Sequence, residues 1–146
     1  MSNIVVPIDF GESSEKLLEG AVEFAKITNS KICLIHVAPS DIGFAIGDMG
    51  FQYFPEVEQS EIKEELIQLN NLEQRIIAMG VDCEHLLKQG IAGDTILDYA
   101  KDKSASYIVV GSHGRSGIYD VFVGSLTKEI TRRSTIPVVV IPVHHS

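Results

Sequence analysis

Short apolar runs rich in β-branched residues alternate with amphipathic stretches along most of the chain, and this alternation constrains the fold more than any other feature. Ile4-Val5-Val6-Pro7-Ile8 reads as a first strand. Lys31 to Val37, carrying Ile32, Leu34, Ile35 and Val37, reads as a second. Between them Leu17, Ala21, Phe24 and Ala25 fall on one helical face, with Ser13 or Ser14 as the cap and Asn29 and Ser30 as the stop. A long helix is expected from about Val57 to Met79. Ile62, Leu66, Leu69, Leu72, Ile76 and Met79 make its apolar stripe, and Gly80 ends it. Val81 to Lys88 follows as a third strand. A short helix between Gly90 and Asp102 turns Ile96, Leu97 and Ala100 inward, and Tyr107 to Val110 is a fourth strand. Ser125 to Arg133 is the last helix and Val138 to Val143 the last strand. A βαβαβαβαβ order implies parallel strands joined by right-handed crossovers. Strands that are continuously apolar, rather than alternating, imply helices on both faces of the sheet.

The chain has 146 residues, 45% of them hydrophobic, enough for one domain over 1–146 with a core of its own. The stretch from Ala38 to Pro55, a loop insertion over 39–56, stands apart from the pattern. It mixes Gly43, Gly47 and Gly50 with Phe44, Phe51, Tyr53 and Phe54, and reads either as a surface excursion whose aromatics pack back or as a lid. The formal net charge of −8 argues against nucleic acid and against an acidic membrane surface as partners. No apolar run is long enough to span a bilayer, and Met1-Ser2-Asn3 lacks the basic start of a secretory signal, so a cytoplasmic location is expected. In a reducing compartment Cys33 and Cys83 are expected as buried thiols rather than a bridge.

The sharpest local feature is Gly111-Ser112-His113-Gly114, which leads after nine further residues to Gly124-Ser125. Gly111 directly follows a buried strand and Gly124-Ser125 directly precedes a helix. Glycine lets backbone N–H groups approach phosphate oxygens, and a helix N-terminus adds unpaired donors and a partial positive charge. The competing reading is turn geometry, with Ser125 as an ordinary N-cap. From Lys103 to Tyr119 there is no acidic side chain, whereas Lys103, Arg115 and His113 can carry positive charge, so a small anion is admissible there. The spacing matches neither a P-loop nor a dinucleotide fingerprint after the first strand. Asp9, at the end of the first strand, is positioned either to accept from a nucleoside or to cap the turn into the first helix by Asx bonding.

The arrangement Gly111-x-x-Gly114, nine residues, Gly124-Ser125 resembles the signature of ATP-binding universal stress proteins. Val5-Val6-Pro7-Ile8-Asp9, Ile35-His36-Val37, Gly90 and Ile136-Pro137-Val138-Val139-Val140 extend the resemblance over essentially the whole chain. The resemblance implies a Rossmann-like, α-hydrolase-like fold: an open five-stranded parallel sheet of order 3-2-1-4-5 with helices on both faces. It also implies an adenine nucleotide (ATP, or ADP or AMP) as ligand. Carried over by position, Asp9 contacts the adenosine part and the Val37 backbone reads the adenine edge. Gly111 lies near the ribose, and Gly114, Gly124 and Ser125 hold the phosphates. Pro7, Arg115 and Leu126 complete the expected contact set. Gly11 stands where many members have serine, and Ser106 where an acidic residue is common.

His36 and His85 read as packed residues, His113 as phosphate-facing or solvent-facing, and His144 and His145 as tail. No metal cage is evident, so any Mg²⁺ would be held mainly by the nucleotide's own phosphates. Two functional readings follow. One is a regulatory nucleotide-binding module of the stress response. The alternative is a slow ATPase or phosphotransfer enzyme, for which only Arg115 and His113 are nearby candidates, so no catalytic residue is assigned. In the implied strand order Val138 to Val143 lies at the sheet edge. A homodimer paired through that strand is expected, the competing cover being the 38–55 loop or the C-terminal tail.

Overall fold

The computed structural model describes residues 1–11, 13–38, 55–112 and 124–143, without the side chains of 55–60. The elements run β1 Ser2–Pro7, α1 Ser14–Thr28, β2 Ser30–Ala38, α2 Pro55–Ala78, β3 Cys83–Gln89, α3 Ala92–Asp102, β4 Tyr107–Gly111, α4 Ser125–Arg133 and β5 Val138–Ile141. The five strands form one sheet in the order β3-β2-β1-β4-β5, and every pairing is parallel. This is the expected fold, and its cause is visible strand by strand. In β1, Ile4 and Val6 enter one core with Leu17, Ala21 and Ala25 of α1 and Leu69 and Ile76 of α2. Val5 enters the other, with Ile96, Tyr99 and Ala100 of α3 and Ile130 of α4. Successive residues of one strand thus feed opposite faces, so an interior strand must be apolar at every position. Among the described residues no helix is long and apolar enough to cross a membrane.

Several boundaries differ from expectation. α2 starts at Pro55, inside the segment assigned to the loop; the described part of that insertion is helical, and residues 39–54 lie outside the described residues. Proline is well placed in a first helical turn, because the N–H it lacks would have no intrahelical partner. Asn29 ends α1 in the left-handed conformation, φ 52°, with its N–H turned back to the carbonyls of Ala25 and Lys26. Ser30, read as part of the stop, already opens β2. Gly80 takes φ 92° after α2, the positive value that favours glycine at a helix end. Val81 precedes β3 rather than joining it, yet is buried in the first core. β5 stops at Ile141, before Pro142, and Val143 turns inward to 1% exposure, so Val143 is not part of the edge.

The apolar stripe of α2 is only partly covered. Leu69 and Ile76 are fully buried, but Leu66 is 39% exposed, and Met79, expected in the helix but lying just past its end, is 40% exposed. Cys33 and Cys83 are both free and buried, and they feed opposite cores, which rules out a bridge between them.

Candidate functional site

Beyond Pro7 the chain pairs once more, Ile8 N–H donating to Ile35 O at 2.8 Å, and then leaves the sheet. Asp9 Oδ1 accepts from Gly11 N–H at 2.9 Å and from the Ser14 hydroxyl at 3.4 Å, an Asx turn that leads into α1. Ser13 stands at the N-cap position without a side-chain capping bond. Asp9 therefore performs the turn role weighed from the sequence, and it also lines a cavity. Between Asp9 and Gly11, Phe10 sits at φ 60°, a left-handed conformation that bulky residues rarely adopt.

At the neighbouring strand the carbonyl of Gly111 accepts from the Thr127 hydroxyl at 2.7 Å, which pins the start of α4 to the end of β4. Ser112 ties three segments together. Its N–H donates to Ile141 O at 2.9 Å, its carbonyl accepts from Gly124 N–H at 2.8 Å, and its hydroxyl accepts from Val143 N–H at 3.2 Å. Gly124, not Ser125, is the N-cap of α4, with φ −62° and ψ 157°. Any residue adopts that conformation, so turn geometry does not demand glycine there. Ser125 is the first helical residue, and the first turn of α4 holds no acidic side chain. The N–H groups of such a turn have no intrahelical acceptor and present partial positive charge.

These pieces surround a cavity of about 260 Å³ where β1 and β4 end side by side. Pro7, Asp9, Val37, Gly111, Gly124, Ser125 and Leu126 all line it. Gly114 and Arg115, the other two candidates, lie outside the described residues, as does His113. Sequence reasoning missed several of the walls. Ala92 and Ile96 come from α3, Ser14 and Leu17 from α1 with Ser13 at its N-cap, and Thr127 from α4. No local signal marks them, because each becomes a wall only when strands distant in sequence pair.

His36, read as a packed residue, is 7% exposed and also lines the cavity. His85, paired with Glu73 at 2.7 Å, does not. Among the described lining residues the ionisable side chains are thus Asp9 and His36. A cavity lined by both an N-terminal helix turn and a carboxylate is suited to a ligand that carries an anionic group and hydroxyl or amine groups.

Residues 1–142 match the sequence profile of the Universal stress protein family. The chain belongs to that family. The universal stress protein YxiE of Bacillus subtilis strain 168 is 31% identical over 145 residues, covering 96% of this chain and 98% of the relative. Among solved structures, the MJ0577 protein, the subject of a structure-based assignment of biochemical function, aligns with TM-score 0.85 at 23% identity over 99% of this chain and 98% of its own. A universal stress protein of Archaeoglobus fulgidus in complex with dAMP aligns with TM-score 0.69 at 23% identity, covering 97% and 98%. At these identities the two structures establish the universal stress protein fold and nothing finer.

Proposed function

We propose that this universal stress protein binds an adenine nucleotide, ATP or its di- or monophosphate, in the cavity between β1, β4 and α4, and acts as a regulatory module rather than an efficient enzyme. The observation that carries the reading is convergence: seven residues singled out by the sequence line one cavity at the carboxyl ends of adjacent strands. Strand order reverses between β1 and β4, the place where open α/β sheets take ligands. The dAMP complex of the Archaeoglobus fulgidus relative supports the adenine class. In this reading Asp9 and the Val37 backbone hold the nucleoside, Pro7 and Leu126 flank it, and Gly111 faces the ribose. Gly124, Ser125 and the N-terminus of α4 take the phosphates, together with Gly114 and Arg115. Mg²⁺, where present, rides on the nucleotide's phosphates.

The module reading rests on the two ionisable walls among the described residues, both of which already have partners in hydrogen bonds. Hydrolysis needs an oriented water and a charge clamp. Steady-state turnover with Mg²⁺ is expected below about 1 s⁻¹, and a faster rate overturns the module reading. The site itself is tested by thermal shift. Nucleotide at a hundred times its dissociation constant stabilises a fold by about 2.7 kcal/mol. The backbone at Gly124 admits a side chain, so Gly124→Val is expected to cost about 1 kcal/mol as a poorer N-cap without requiring a strained backbone, while its side chain obstructs phosphate approach. The shift is expected to vanish in that variant, and a shift of unchanged size removes the site assignment.

A further inference from the structure

Two histidines of the sheet meet glutamates of α2, His85 with Glu73 and His36 with Glu65. Glu65, Leu69 and Glu73 are spaced i, i+4, i+8 and share the inward stripe of the helix. His36 is the one of the two that reaches the cavity. Its Nδ1 lies 2.6 Å from the carbonyl oxygen of Ile8, and its Nε2 lies 3.0 Å from Glu65 Oε2. A carbonyl oxygen only accepts, so Nδ1 carries a hydrogen and donates it. Nε2 then faces a carboxylate, and that bond forms when the pair holds one further proton, on Nε2 or on Glu65. The imidazole thereby spans from α2 to the backbone one residue before Asp9.

The residue after Asp9 is held by the same ring. Phe10, strained at φ 60°, places its ring centroid 4.5 Å from that of His36, tilted by 45°. Strained backbone persists where its surroundings over-determine it. Here the surroundings are the imidazole on one side and the Asx turn on the other. Among the described residues the charged or titratable neighbours are Glu65 from α2, Asp9 in the same cavity, and the His85–Glu73 pair lower on the same sheet face. Toward the cavity α1 and its N-cap present Ser13, Ser14 and Leu17.

We propose that His36 is a positioning residue for the nucleoside end of the site. Tethered to Glu65, it sets where the Ile8-Asp9-Phe10 turn stands, and so couples the docking of α2 to ligand affinity. This rests on the nucleotide reading above.

The test is calorimetry with adenosine beside thermal denaturation, on the full chain. His36→Ala removes both bonds and the ring contact, and adenosine affinity is expected to fall about tenfold. His36→Asn keeps an N–H where Nδ1 stands and is expected to remain within about threefold of wild type. Glu65 has a side chain 27% exposed, so Glu65→Ala folds even where His36→Ala does not. It is expected to weaken adenosine about threefold, whereas Glu65→Gln, whose amide donates to a neutral Nε2, restores wild-type binding. A wild type that binds adenosine, with variants that lose thermal stability at unchanged affinity, overturns the positioning role alone. A wild type that binds neither adenosine nor ATP overturns the nucleotide reading and this inference with it.

Discussion

Asp9 both closes a turn and lines the cavity, and substitution can separate its carboxylate's acceptor from its charge. Its Oδ1 already closes the turn to Gly11. Asp9→Asn retains that acceptor and discards the charge, whereas Asp9→Ala discards both. If Asp9 serves the nucleoside end, Asp9→Asn is expected to weaken adenosine and ATP by a similar factor, about tenfold for one lost charge-assisted bond. Loss for ATP with none for adenosine, measured by calorimetry, contradicts the assignment. The thiols offer a simpler residue-scale check. Burial, then Glu73, pushes the Cys83 thiol up to about 12, and burial raises Cys33 as well. The thiolate is the reactive species, so neither cysteine is expected to react with a thiol reagent in the native state, and both react once the chain is unfolded. Rapid native labelling would show that a core opens far more readily than its packing suggests.

Elements are joined by polar contacts at places the hydrophobic pattern does not reveal. Glu84 of β3 lies between Lys31 of β2 and Lys103, the C-cap residue of α3, and pairs with both. The Lys103 bond, then the Lys31 bond, holds the Glu84 carboxyl below its usual range. A carboxyl lowered in the folded state contributes stability above its unfolded value, about 4.3, and loses that contribution as pH falls through the lower folded value. Glu84→Gln has no such contribution to lose. The variant is expected to be less stable than wild type by about 1 kcal/mol at about pH 7, and the gap to close toward about pH 3. Urea midpoints at the two pH values measure it, and a gap that widens in acid refutes the bridging role. The Arg75–Glu15 pair between α1 and α2 is bidentate but has side chains 48% and 60% exposed, so it guides docking more than it stabilises.

For the whole molecule the open question is the edge. Among the described residues β5 pairs with β4 on one side only, Val140 is 38% exposed, and no charged side chain lies between Ser134 and Val143. An apolar, uncharged edge strand is a template for another strand and is normally covered. Our reading is a homodimer in which β5 meets its own copy across a two-fold axis. Val140→Lys sets a charge at the pairing and is expected to give monomers or aggregates, with a dimeric wild type at micromolar concentration. Light scattering that finds the wild type monomeric removes the dimer. β5 continues directly into Ser112's partners Ile141 and Val143, so the edge and the end of β4 share one hydrogen-bonded corner.

The chain by itself determined the parallel α/β architecture, because doubly covered strands leave short, continuously apolar runs and helices leave a 3.6-residue period in the residues that form them. It also determined the glycine-rich candidate site, since Gly111, Gly124 and Ser125 announce a strand end and a helix start by position alone. Where local periodicity misled, as for Leu66 of α2 and Met79 just past its end, the buried face of the helix runs through Leu69 and Ile76 and these two positions lie off it. The Asx turn at Asp9 was one of two readings open in the sequence, and the folded chain shows its acceptor committed there. Tertiary structure alone decided that Thr127 rather than Ser125 anchors α4, and that His36 joins Glu65 to the backbone beside Asp9. A residue's inward direction follows from the repeat of its own element. The group it meets there comes from another element, up to tens of residues away, and only the pairing of the strands brings the two within bonding distance.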